Sequence, residues 1–171
     1  SPLIGAVAAG NTVILKPSEF SSKTSEIIKK IIENTFENSH VDVILGGPEI
    51  GSKLLDFNWD YIFFTGSTNI GKIVAQKAAI NLTPITLELG GKNPCIVDET
   101  ANLKVASKRI VFGKFLNCGQ TCIAPDFILV HESVKKDFID KIIERIKKIY
   151  NEDVENSENY SRIINKKHFS R

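Results

Sequence analysis

Short apolar runs recur along the chain at residues 12–15, 41–45, 61–64, 85–89 and 94–97, each bounded by Gly, Pro, Asn or Asp. That is the pattern of buried strands. Amphipathic stretches separate most of them. Ile27, Ile28, Ile31, Ile32 and Phe36 fall on one helical face behind a cap at Ser21 or Ser22, and Ile70, Val74, Ala75 and Ala78 form a second face. The alternation of strand and helix as far as residue 89 predicts an α/β fold with a parallel sheet, whose ligands belong beyond the carboxyl ends of the strands. After Gly90-Gly91 the rhythm changes. The strand at 94–97 is followed by a helix over about 103–116, a loop, a strand at 127–130 and a long helix with Val134, Phe138, Ile142, Ile146 and Ile149 on one face. The stretch from Asn151 onward is polar, and no repeat or low-complexity tract occurs.

Composition adds limits rather than direction. With 171 residues, 42% of them hydrophobic, the chain is long enough for one good core or two small ones. Its 22 basic and 20 acidic residues leave a net charge of +2, which gives no electrostatic reason to expect nucleic acid or an anionic membrane as partner. Cys95, Cys118 and Cys122 are odd in number and lack a preceding signal peptide, so they read as free thiols of a reducing, cytoplasmic compartment. No apolar run approaches the roughly 20 residues of a spanning helix. The chain opens at Ser1 on what reads as the middle of a fold, and it is expected to be a piece of a longer protein.

The chemistry concentrates in two motifs 34 residues apart: Glu88 within Glu88-Leu89-Gly90-Gly91-Lys92, and Cys122 within Asn117-Cys118-Gly119-Gln120-Thr121-Cys122. A thiol that attacks a carbonyl and a carboxylate that afterwards activates water make a covalent oxidation or acyl-transfer site. Cys122 lies between a helix and a strand, in the kind of loop that exposes reactive groups on a rigid scaffold. Cys118 reads as packing or a bystander. Cys118 and Cys122 are spaced as two zinc ligands would be, yet neither Cys95 nor any of His40, His131 and His168 supplies a second pair, so no metal is expected. The scattered histidines also leave a cysteine–histidine hydrolase without a base.

Phe64-Thr65-Gly66-Ser67-Thr68-Asn69-Ile70-Gly71-Lys72 joins a strand to a helix and offers a phosphate the small residues and free helix N-terminus it favours. The same residues nearly spell a nucleotide-triphosphatase P-loop, Gly66 to Lys72 fitting GxxxxGK, with Cys95-Ile96-Val97-Asp98 as the apolar run and acid. However, Ile73 stands where that motif needs a hydroxyl for magnesium. No GxGxxG fingerprint is present. Lys16 and Glu19, at the end of the first strand, have the donor and acceptor that ribose hydroxyls require.

From Pro2 to Phe169 these blocks, together with Pro2-Leu3-Ile4-Gly5-Ala6 and Ile123-Ala124-Pro125-Asp126, resemble in order the class 3 or fatty-aldehyde branch of the aldehyde dehydrogenases. The resemblance implies a modified Rossmann-type NAD(P)-binding domain over residues 1–89 and the beginning of an α/β catalytic domain over 90–171, both partial. It implies Cys122 as nucleophile and Glu88 as general base. It also implies Lys16 and Glu19 at the adenine ribose, Gly66, Ser67 and Gly71 at the pyrophosphate, and Leu89 beside the nicotinamide. The cofactor would be NAD or NADP, with Glu19 favouring NAD. The substrate would be a medium- or long-chain aliphatic or an aromatic aldehyde, oxidised through a thiohemiacetal and a thioester, and the full-length protein would be a homodimer. A membrane anchor, which some fatty-aldehyde relatives carry, would lie beyond Arg171. The family's oxyanion asparagine would precede Ser1 and its ribose-orienting glutamate would follow Arg171, so this stretch alone is expected to be inactive. A dinucleotide-binding remnant without catalysis is the alternative, and a P-loop nucleotide triphosphatase the more distant one.

Overall fold

A computed structural model describes residues 2–170. The chain forms two compact units, Ser1–Glu88 and Leu89–Arg171.

The first unit is two consecutive strand–helix–strand units. β1 (Val13–Leu15) passes through a single 3-10 turn (Glu19–Ser21) and α2 (Ser22–Thr35) to its parallel neighbour β2 (Val41–Val43). α1 (Pro2–Ala8) precedes β1, and α3 (Pro48–Leu54) follows β2. β3 (Ile62–Thr65) then passes through α4 (Thr68–Ile80) to its parallel neighbour β4 (Ile85–Glu88). Parallel neighbours require such a crossover, because a tight turn cannot bring the chain back to the same end of the sheet.

The core below β1 and β2 is built on Ile32, Val41 and Val43, against which Leu3, Val7, Ile28 and Phe36 pack. Only part of the predicted α2 stripe is therefore inward. Ile27 and Ile31 are 58% and 57% exposed, because a single pair of strands covers a narrower arc of the helix than five apolar residues span. Ser21 occupies the N-cap position of α2 but makes no side-chain bond there. Ser18 does the capping one turn earlier, its Oγ accepting from Phe20 N–H at 3.3 Å while its carbonyl accepts from the buried Ser25 hydroxyl at 2.9 Å. On α4 the inward line is Gly71, Val74 and Ala78, and Ile70 turns outward.

The second unit repeats the theme once. β5 (Asn93–Val97) passes through α5 (Leu103–Phe115) and the Cys122 loop to a parallel β6 (Pro125–Val130), and α6 (Lys135–Tyr150) packs on α5. Asn102 caps α5, its Oδ1 accepting from Val105 N–H at 3.2 Å. Val97, Ile110 and Phe138 form the core. Phe115, Tyr150 and Tyr160 make a second, aromatic cluster that ties the irregular stretch after α6 to the end of α5. Four residues of α7 (Lys166–Phe169) follow. The apolar run of β5 reads as buried, yet Ile96 is 74% exposed, and Leu129 on β6 is 55% exposed, since helices cover only one face of this two-stranded ladder. Among the described residues no helix is long and apolar enough to cross a membrane.

The Tyr160 phenol is pushed up to about 12, chiefly by burial, then by the neighbouring Cys118 thiol and Tyr150. The folded chain thus holds this proton more tightly than the unfolded one, whose phenol titrates near 10. Its contribution to stability is complete below about pH 10 and is lost as the pH rises towards 12. Melting temperatures measured across that interval should fall less steeply in Tyr160→Phe than in the parent chain.

Candidate active site

In the first unit the predicted ligand-binding residues gather at the carboxyl ends of strands. Thr65 of β3 lies opposite Glu88 of β4, and Gly66 N–H continues the ladder by donating to the Glu88 carbonyl at 3.0 Å. The strand-terminal carboxylate and the glycine turn are therefore immediate neighbours, and both are exposed. A Cβ at Gly66 would come within 2.5 Å of the Phe64 ring, which would have to move to admit it. Ser67 caps α4, its Oγ accepting from Ile70 N–H at 3.4 Å and its carbonyl from Gly71 N–H at 2.9 Å. The N–H groups of Thr68 and Asn69 are left without an intrahelical acceptor, which is the usual cradle for a phosphate.

The same geometry argues against a P-loop. Only Gly66 and Ser67 separate β3 from the helix, and Lys72 lies inside α4, so no glycine-rich loop remains to wrap a triphosphate.

At the end of β1 the half-buried Lys16 bonds to Glu19 Oε2 at 3.2 Å and to the Pro17 carbonyl at 3.1 Å. The Glu19 carboxyl is held below its usual range chiefly by its own backbone N–H; burial opposes this, and the Lys16 hydrogen bond and charge add to the lowering. The pair presents one acceptor-rich and one donor-rich group side by side. Leu89, the first residue past β4, is half-buried.

In the second unit Cys122 is exposed, whereas Cys95 and Cys118 are partly covered. The nucleophile candidate sits at the amino end of β6, opposite in polarity to the strand ends used in the first unit. Three consecutive residues after α5 adopt left-handed backbone: Asn117 (φ 51°, ψ 36°), Cys118 (φ 57°, ψ 30°) and Gly119 (φ 74°). Such backbone costs an ordinary L-residue roughly 1–2 kcal/mol. Asn tolerates it, and Gly119 is required, since a Cβ there would lie 2.9 Å from the Lys114 carbonyl. Gly119→Ala should lower the stability of the folded chain by about 1–3 kcal/mol, read as a fall in thermal melting temperature.

This left-handed run reverses the chain into a turn closed by Ala124 N–H to the Thr121 carbonyl at 3.2 Å, with Cys122 and Ile123 at its corners. Two side-chain amides flank the turn. Asn93 Nδ2 donates to the carbonyls of Cys122 (2.7 Å) and Ala124 (3.2 Å). Gln120 Nε2 donates to the carbonyls of Asn117 (2.9 Å) and Arg162 (3.1 Å), and its Oε1 accepts from Ile164 N–H at 3.0 Å. Just past the turn Asp126 meets Lys92 at 2.8 Å and Lys114 at 3.9 Å. The Lys92 hydrogen bond holds the Asp126 carboxyl below its usual range, with both lysine charges adding to it.

Cys118 faces elsewhere, lining a shallow cavity of ≈ 460 Å³ with Tyr160, Arg162 and Phe169. Among the described residues no group of three or more His, Cys, Asp or Glu side chains is placed to hold a metal ion.

Sequence reasoning singled out Cys122 and its motif but not Asn93, nor what Gln120 binds. The available signal was the pair of prolines, Pro94 and Pro125, at the paired ends of β5 and β6. A proline brings no N–H to the ladder, which leaves facing carbonyls to a side-chain donor or to water.

The model of the aldehyde dehydrogenase family matches residues 1–171. The 4,4'-diaponeurosporen-aldehyde dehydrogenase of Staphylococcus aureus is 55% identical over 170 residues, which cover 99% of this chain and 37% of that protein. The dimeric NADP-preferring aldehyde dehydrogenase of Mus musculus is 47% identical, over 99% of this chain and 38% of that one. A solved structure of Staphylococcus aureus AldH in a substrate-bound state superimposes with a TM-score of 0.91 at 55% identity, covering 99% of this chain and 37% of that chain. The chain thus spans a little over a third of the length of these relatives, with the glycine turn, the Glu88 strand end and the Cys122 loop all inside the matched stretch. This chain belongs to the aldehyde dehydrogenase family.

Proposed function

We propose that the protein carrying this chain oxidises aldehydes to carboxylic acids with NAD or NADP, using Cys122 as nucleophile and Glu88 as general base. The observation that carries the reading is the exposure of Cys122, alone among three cysteines, on a turn inside the stretch that the family model matches. The thiolate is the attacking form. Its sulfur bonds to the aldehyde carbon, and the carbonyl oxygen takes up the displaced electron pair, giving a thiohemiacetal. That oxyanion needs N–H donors, of which the Cys122 backbone N–H is one.

Gly66 and Ser67 fit the dinucleotide's pyrophosphate: a turn whose glycine lies tight against the Phe64 ring leads into a thirteen-residue helix with donors free at its start. Lys16 and Glu19 suit the ribose hydroxyls, and Leu89 the face of the nicotinamide, which when bound supplies the hydride acceptor. Glu19 favours NAD, because a carboxylate accepts from a 2′-hydroxyl but repels a 2′-phosphate. A thioester on Cys122 is what loss of hydride leaves behind. Glu88 then takes a proton from water, whose oxygen attacks the thioester carbon. The acid leaves, and Cys122 regains its thiolate.

Medium- or long-chain aliphatic or aromatic aldehydes are the proposed substrates, a homodimer the proposed assembly, and the cytoplasm the proposed location. Aldehyde-dependent absorbance at 340 nm, followed with the complete protein and each dinucleotide in turn, tests the reading. Growth with NAD exceeding that with NADP is the expected result, and no growth with either contradicts it.

A further inference from the structure

The turn that presents Cys122 is held by side chains where a strand end would ordinarily use backbone. Pro94 on β5 and Pro125 on β6 bring no N–H to the mouth of the ladder, and the register slips there, with Asn93 opposite Pro125 and Pro94 opposite Phe127. The carbonyls of Cys122 and Ala124 face this gap, and the Asn93 amide fills it. Gly91 makes the contact possible. A Cβ at Gly91 would lie 3.0 Å from the Cys122 carbonyl and 2.9 Å from Asn93 Oδ1, so the second glycine of Gly90-Gly91 serves this contact besides any ligand.

On the other shoulder Gln120, two residues before the sulfur, bridges the left-handed run to residues 162 and 164 with both of its amide atoms engaged. The backbone on either side of Cys122 is thus held by two half-buried amides, Asn93 at the start of β5 and Gln120 within the loop, the latter tying the loop to residues 162 and 164.

We propose that Asn93 and Gln120 are positioning residues that clamp the Cys122 turn and set where its sulfur points. The proposal rests on Cys122 being the nucleophile. A displacement of about 1 Å at a reacting atom lowers rate by about 10²-fold. Removing a clamp should therefore lower kcat on that scale while leaving the KM for the dinucleotide unchanged, since the hydrogen bonds of both amides run to residues 117, 122, 124, 162 and 164 and none to a residue assigned to the dinucleotide.

The test uses the complete protein with Asn93→Leu, which keeps the shape but donates nothing, and Gln120→Glu, which keeps the acceptor for Ile164 N–H but loses the donor. Each is measured for kcat, for dinucleotide KM, and for the rate at which a neutral reagent, iodoacetamide, alkylates Cys122. Asn93→Ser, whose hydroxyl restores a shorter donor, is the rescue. The expected result is a fall in kcat of about 10²-fold in either clamp variant, a parallel fall in the alkylation rate, unchanged KM and partial recovery in Asn93→Ser. Variants that lose only melting temperature, with kcat and alkylation as in the parent, overturn the clamp. If Asn93→Leu does not fold, Gln120→Glu decides alone by the same readings. Turnover that survives Cys122→Ala overturns the nucleophile assignment instead, and the two failures are separately visible.

Discussion

Cys122→Ala in the complete protein is expected to lower aldehyde-dependent reduction of the dinucleotide by roughly 10³-fold or more, the scale on which nucleophile removal acts in covalent enzymes. The reason is local. Of the three thiols, Cys95 is a strand residue packed against the Val97 core and Cys118 points into the cavity beside Tyr160, so neither is presented as Cys122 is. Alanine at 122 removes the sulfur but leaves the backbone atoms that hold the turn: the Cys122 carbonyl still accepts from Asn93, and the Thr121–Ala124 turn still closes. Melting temperature and dinucleotide affinity should therefore stay as in the parent. Steady-state rates with NAD or NADP, alongside dinucleotide titrations, check both halves of the expectation.

Glu88→Gln is expected to separate the two halves of the reaction. Glutamine keeps the volume and the backbone, so the Gly66 N–H bond to the residue-88 carbonyl and the β3–β4 register survive. It cannot take a proton from water. General-base catalysis is worth about 10²–10⁴-fold, so turnover should fall by that factor while the first dinucleotide per site is still reduced rapidly. In a stopped-flow trace this is a burst of one equivalent at 340 nm followed by an almost flat phase. Loss of the burst along with turnover would move Glu88 to the first half of the reaction. A full steady rate would remove it from the chemistry.

Much of this was legible before any coordinates. Short apolar runs between turn residues located five of the six strands to within one or two positions, because Gly, Pro, Asn and Asp punctuate the chain on physical grounds that do not depend on tertiary context, and the sixth was placed as closely after the Cys122 loop. The inward face of each helix was less legible. Ile27 and Ile31 match the 3.6-residue period as well as Ile28 and Ile32 do, and only the narrowness of the β1–β2 pair decides that the latter go inside. Tyr150 and Tyr160 were missed altogether, since their burial depends on a polar stretch folding back onto the end of α5. At the candidate site, residue type announced the chemistry of Cys122 and Glu88, but not what supports them. The bonds of Asn93 and Gln120 link segments 29 to 44 residues apart, and no periodicity reports such a contact.

The most direct measurement is the identity of the acylated atom. The complete Glu88→Gln protein, mixed with aldehyde and NAD and quenched in acid within the burst, should carry one acyl group. Tryptic digestion then releases residues 115–135, in which fragment ions divide Cys118 from Cys122. The expected result is the acyl mass on Cys122 and none on Cys118. Acylation at Cys118, or product formed at the burst rate with neither thiol modified, would contradict the account.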